Sequence, residues 1–574
     1  MKRNAIRLFA LLLGLLMLTG CAGQTSSLPG TGAADEVEFL EWQSYDDKMH
    51  QAAMETDHTA RALLLHEAED QLMDSGAMIP LFHGVQSYLQ KPDVSGCFVV
   101  KGDLMDVTHI RKEGASPKDP ISLRIIGEPK NLDTGTSAAE SMQIHQNISD
   151  GLLRLDEGDE VIPALAESYT VSEDACTYVF TLRDDLKWSD GSPLTAEDFV
   201  YSWKRMADTG NALENIALLD CIRGYPNDLC VSASEDGKTF TVELASPCAY
   251  FVELCTMPPL FPVKREQVES APGYRDASGK VIDASAWARE GGIVSCGAYV
   301  VAEWKHNERI TLKKNPYYYN ADQVYAETLY LMLSNDGTST YAAYRSGDVC
   351  LLFGAIPNDL VPALRNDPEY HYGPILNTHS ISINVNAPIF KGMTVEEAKT
   401  FRKAIGWAID RSFIVNVALT GIETPATTYV PKDMNAGMEE PFGSTPGYTY
   451  PEEDGYYSET ADLDRAREML TSIGFEFGKN GKLKDPITVE YMYNPAGSNE
   501  LVAVCLQSDL AQLGIRLTLA SREWNVFLGE RRNGNCELAR DGWNADYNDP
   551  NGMLALYCTG DPNNNPHLGQ RPKP

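Results

Sequence analysis

The residues best equipped for chemistry stand near the C-terminus, in Arg540-Asp541-Gly542-Trp543-Asn544-Ala545-Asp546-Tyr547-Asn548-Asp549-Pro550. The stretch holds carboxylates, aromatic rings, side-chain amides and a guanidinium, and Gly542 and Pro550 keep most of it out of a helix. A carboxylate beside the face of a tryptophan seats an ammonium group by ion pairing and cation–π attraction. An arginine a few residues away can receive the opposite charge. A ligand charged oppositely at its two ends, such as a peptide, fits that pair. Two plainer readings compete. Asn544, Asp546 and Asn548 alternate as in a calcium loop, but Asp549 and Ala555 stand where such a loop carries Gly and Glu. The other is an ordinary surface turn.

A chain of 574 residues exceeds one core and predicts two or three domains. A net charge of -33 argues against nucleic acid as a partner and fits a secreted protein. Lys2, Arg3 and Arg7 precede an apolar run, Leu8 to Leu18, which is too short to span a membrane and has the layout of a signal peptide. Leu18-Thr19-Gly20-Cys21 resembles a bacterial lipobox, which makes Cys21 the expected lipidated N-terminus. Gln24 to Asp35 reads as a flexible tether. The twelve cysteines show no C-x-x-C; Cys221 with Cys230, or Cys248 with Cys255, could pair, and no bridge is assigned.

The elements that must position the stretch follow from periodicity. A helical pattern runs from Trp42 to Asp74, with Leu64, Ala68 and Leu72 on one face. Met78 to Phe82 reads as a buried extended segment and Arg111 to Asp119 as a linker. Strands are expected at 121–126, 177–183, 238–244, 309–313, 380–385 and 516–519. Thr195 to Asp198 and Thr394 to Glu397 are capping boxes that open helices, and 463–470 and 500–513 are amphipathic. Strands mixed with long helices indicate α/β or α+β lobes. His66-Glu67-Ala68-Glu69-Asp70 lacks the second His of a zinc-protease helix and reads as a solvated face. With no G-x-S-x-G, Walker loop or G-x-G-x-x-G, the chain reads as a binding module.

Several stretches together resemble one family. They include Ala164 to Ser168, Lys187-Trp188-Ser189-Asp190-Gly191, Leu194 to Phe199, Tyr201-Ser202-Trp203, Gly297-Ala298-Tyr299, Tyr344 to Gly347, Ala408 to Arg411 and Trp543 to Pro550. The set is similar to the oligopeptide-binding proteins of bacterial ABC importers, the extracytoplasmic solute-binding family 5. The resemblance implies a two-lobed, periplasmic-binding-protein-like (type II) α/β fold with an extra subdomain, about 134–262, closing on the peptide. It implies Asp546 as the ammonium anchor, Trp543 and Trp524 as cleft aromatics and Arg540 as a partner for the peptide carboxylate. Tyr547 and Asn544 belong to the same expected site. No catalytic residue, cofactor or metal is implied. Expected partners are oligopeptides, permease and ATPase subunits, and the membrane through the lipid anchor.

Two features depart from the family. Ser498 stands where its best-known members carry a His that also meets a carboxylate, and 207–219 is short and lacks their tyrosines. The order differs as well: Tyr45 to Thr108 resembles the family's C-terminal end, placed here at the front, which reads as a circular permutation. The expected organisation is a signal peptide (1–20), tether (21–35), permuted segment (36–112, with 36–85 in lobe II and 86–112 in lobe I) and linker (113–119). Lobe I follows at 120–376 and lobe II at 377–574, with hinge crossings near Val85 and Asn377. Competing functions are a receptor for a dipeptide, nickel or haem, a chemosensory or signalling receptor, and a peptidase.

Overall fold

The computed structural model describes residues 36–100, 103–136 and 139–571; the signal peptide, the tether and Cys21 lie outside them. Two long antiparallel strands, Met78–Gln90 and Tyr370–Ile383, stand at the middle of an eleven-stranded sheet. On one side follow Leu351–Phe353, Ile121–Ile126, Thr328–Leu333, Arg309–Lys314 and Tyr299–Lys305. On the other follow Leu538–Asn544, Ile487–Tyr493 and Ile515–Ser521. Ile121–Ile126 is parallel to both neighbours, and so is Ile487–Tyr493. Parallel strands need crossovers, and helices such as Asn499–Ala511 supply them. The register of the central pair slips between His83 and Val85, opposite Thr378 and Pro374. A Cβ on Gly84 would stand 2.9 Å from the Asn377 amide oxygen, so glycine permits the close approach there.

Three large cores form the body of the protein. One gathers Leu40, Tyr45, Leu65, Leu72 and Ile79 from the front of the chain with Ile381, Phe401, Leu506 and Leu568. A second joins Val94, Met105 and Ile110 to Leu123, Trp304, Leu331 and Phe353. The third lies within Leu152 to Cys296, where helix Ala196–Ala207 packs Phe199 and Trp203 on a four-stranded antiparallel sheet through Phe180 and Phe240. Asp198 accepts from the Thr195 amide at 2.8 Å and Glu397 from the Thr394 amide at 2.8 Å, as their capping boxes predict.

Several expectations change. The helical stretch 42–74 is two helices, Gln43–Met54 and His58–Ser75. Glu55 accepts from the amides of Thr56 and Asp57, and Asp57 caps the second helix at Ala60. The His66–Asp70 face is not solvated: His66 is fully buried, sandwiched between Phe442 and Tyr448 at ring distances of 3.8 and 3.6 Å. Glu69 is equally buried and accepts from the amides of Tyr429 (3.0 Å) and Val430 (2.8 Å). Its burial drives the carboxyl up to about 8. Arg111 to Asp119 is tied down: Arg111–Lys112 pairs with Val94–Ser95, Tyr325 donates to the Ala115 carbonyl and the Glu327 amide to that of Pro117. All eleven cysteines among the described residues are free.

Candidate functional site

The stretch from Arg540 to Pro550 begins as a strand. Leu538–Asn544 pairs with Tyr370–Ile383, setting Ile381 opposite Arg540 and Thr378 opposite Trp543. Polar residues and Gly542 hide it from period-two reading, but hydrogen-bonded neighbours on both sides hold it extended. Beyond Asn544 the chain leaves the sheet, and a short helix, Asn551–Leu554, ends the loop.

The carboxylates of this segment have different fates. Asp541 is nearly buried, accepts from Arg531 at 2.8 Å and from Asn565 at 3.1 Å, and holds structure together. Asp549 receives a bidentate pair from Arg61, at 2.8 and 2.9 Å, with both side chains buried. Asp546 has no hydrogen-bond or ion-pair partner among the described residues. Its side chain is exposed, yet the surrounding protein walls withdraw enough water to raise its carboxyl above the usual range. An exposed, unpaired carboxylate in partly desolvated surroundings is free to take a cation.

Arg540 has the complementary character. Its Nη2 approaches His379 Nδ1 at 3.4 Å, its Nε is buried without a partner, and among the described residues no carboxylate pairs with it. Burial lowers its pKa, so an incoming anion would relieve an unfavourable state. His379 stacks on Phe82 at 4.4 Å and is held neutral, with its pKa lowered to about 3 by burial and then by Arg540. His83, lowered to about 4 by burial, is neutral too. Of Arg540, His379 and His83, it is thus the arginine that carries charge. From Arg540 to the strand's end at Asn544 is roughly 13 Å, about the length of a short extended peptide.

The remaining expected residues are placed as follows. Trp524 opens helix Trp524–Arg532 and is 46% exposed, an unusual state for so large a ring. Trp543 is half-buried, its indole N–H donating to the Gly552 carbonyl at 2.9 Å. Asn544 accepts from the Asn377 amide, and Asn548 accepts from the Asn435 amide at 2.9 Å. These partners draw the alternating amides away from Asp546, and among the described residues no group of three or more His, Cys, Asp or Glu could hold a metal ion. Tyr547 stacks on Tyr250 of the third core at 4.3 Å, so its ring is already engaged. Ser498 directly precedes helix Asn499–Ala511. Sequence reading missed Arg61, His379, Phe82 and Tyr250; only the alternation along 370–383 could have suggested His379.

A groove of about 870 Å³ between helices Ala196–Ala207 and Arg265–Ser270 lies apart from these residues. Much of its charge is internally paired, Lys264 with Asp190, Arg265 with Glu269 and Arg205 with Asp133.

The model of the bacterial extracellular solute-binding proteins, family 5 (Middle), matches residues 160–565. The chain belongs to that family. The periplasmic oligopeptide-binding protein OppA of Salmonella typhimurium is 31% identical over 476 residues, covering 80% of this chain and 79% of that protein. The probable deoxycholate-binding periplasmic protein YgiS of Escherichia coli is 31% identical over 442 residues, covering 74% and 75%. Among solved structures, the unliganded open form of the murein tripeptide-binding protein MppA matches with a TM-score of 0.60 at 24% identity, covering 79% of this chain and 84% of that one. This family 5 protein is therefore a binding protein of the extracytoplasmic solute-binding class, and not an enzyme. Its mixed α/β architecture is the type II periplasmic-binding-protein fold. Among the described residues no helix is long and apolar enough to cross a membrane.

Proposed function

We propose that the protein is a lipid-anchored receptor that binds oligopeptides between two lobes and delivers them to an ABC permease and its ATPase. Asp546 seats the peptide ammonium, Arg540 receives its carboxylate, and Trp524, Trp543, Tyr547 and Asn544 line or frame the cleft. The observation that carries this is the unpaired state of Asp546 and Arg540 in a segment whose other carboxylates are paired. The names of OppA and MppA support it. The lipobox at Cys21 supports the anchor.

The test is calorimetry on Asp546→Ala. Loss of the carboxylate leaves a bound ammonium unpaired, at about 2–5 kcal/mol, so peptide affinity falls roughly 30-fold or more. An N-acetylated peptide binds native protein equally poorly. Unchanged affinity for free-amine peptides would sink the assignment. The YgiS relative motivates a second reading, a solute with a carboxylate and no ammonium. Such a ligand would depend on Arg540 and be indifferent to Asp546→Ala.

The same proposal includes the circular permutation, with lobe II built from 36–85 and 377–574, lobe I from 86–112 and 120–376, and 113–119 joining ancestral ends. The mixing of front and rear residues in one core supports it.

A further inference from the structure

Sequence proximity suggested cysteine pairs 221/230 and 248/255, but the fold brings a different pair together. Leu244 pairs with Ile222 in an antiparallel bridge, and the Ala245 amide donates to the Cys221 carbonyl at 2.8 Å. This crossing turns the segment carrying Cys248 back beside Cys221, near enough for the Cys248 side chain to perturb the Cys221 thiol. Cys230 faces elsewhere: it receives the Arg223 Nε–H at 3.4 Å and lies 3.9 Å from the Asp228 carbonyl. Cys255 neighbours Cys248 but is deeper, at 1% exposure, whereas Cys221 is only partly buried.

We propose that Cys221 and Cys248 form a disulfide when the protein meets a thiol oxidant of the disulfide class outside the cytoplasm. The Cys221 thiolate, the one solvent reaches, attacks one sulfur of the oxidant, breaking its S–S bond and forming a mixed disulfide. The Cys248 thiolate then attacks the Cys221 sulfur, closing the protein bridge and expelling the second oxidant sulfur. Two protein thiols are oxidised, one oxidant disulfide is reduced to two thiols, and the protons pass to them. Contact with Cys248 and burial push the Cys221 thiol well up, so the first attack accelerates as pH rises. The bridge has a place to act: Tyr250, two residues after Cys248, stacks on Tyr547 beside Asp546. It would anchor that wall of the third core against the loop carrying Asp546.

The experiment incubates the full chain with oxidised glutathione at increasing pH, blocks remaining thiols and maps the peptides. The expected result is a 221–248 cross-link, with two alkylatable thiols lost, a mass about 2 Da lower and faster closure at higher pH. Cys221→Ser, a near-isosteric change at a partly exposed position, should abolish that cross-link and leave the other cysteines alkylatable. A cross-link of Cys248 to Cys255 or of Cys221 to Cys230, or a chain that keeps every thiol reactive at the highest pH, overturns the assignment. The readout is independent of the ligand, so it stands apart from any failure of the peptide reading.

Discussion

Arg61 shows how a distant side chain governs the site. It grips Asp549 with two hydrogen bonds, three residues past Asp546, and neither side chain reaches solvent. Arg61→Met therefore leaves a buried carboxylate uncompensated, and chemical denaturation should show a loss of about 3–5 kcal/mol. Arg61→Lys recovers only part, because an ammonium cannot reproduce the fork. Both variants should weaken peptide binding by loosening the loop that carries Asp546. Pairing also explains what was legible. Asp546, Trp543 and Arg540 stand out in the sequence by type and spacing. That Asp541 and Asp549 are occupied was not, because their partners Arg531, Asn565 and Arg61 approach through the fold.

At the scale of elements, local signals were readable and context was hidden. Capping boxes and amphipathic faces marked helices Ala196–Ala207 and Val395–Trp407 closely. The strand Leu538–Asn544 owes its form to neighbours on both sides, which its own residues do not announce. Helix His58–Ser75 misled in the opposite sense, because His66 and Glu69 look like surface residues until the 442–450 loop covers them. That burial predicts a pH effect. Glu69's carboxyl, at about 8 in the fold against 4.5 in an open chain, binds its proton more tightly when folded. Its contribution is fully present below pH 4.5 and is lost as pH rises toward 8. Between pH 7 and 8 the buried histidines, lowered to about 4 or 3, stay neutral in the fold and mostly neutral when unfolded. In that window urea unfolding of native protein should weaken by on the order of 1 kcal/mol per pH unit. Glu69→Gln should flatten the slope.

At the scale of the molecule, the proposal makes two demands. Lobes closing on a peptide should shift the fluorescence of Trp524, which is 46% exposed, and shrink the radius of gyration in scattering. A tightly bound peptide that changes neither would refute closure. Removing residues 36–112 while keeping 1–35 should uncover the core that Leu65, Leu72 and Ile79 share with Phe401 and Leu506, and leave an aggregated product. Cooperative folding of the truncated chain with native affinity would make the front segment an appendage.

The mixed core also sets an order of events during synthesis. The buried members of two cores all lie within residues 94–353, with 152–296 nested inside, so these cores can close before the rest of the chain is made. The first helices must wait for Leu506 and Leu568, and strand Met78–Gln90 must find Tyr370–Ile383 across a long loop. The core that closes last joins Leu40 to Leu568. A polypeptide threaded outward through a membrane therefore cannot lock its leading segment before its trailing one has crossed.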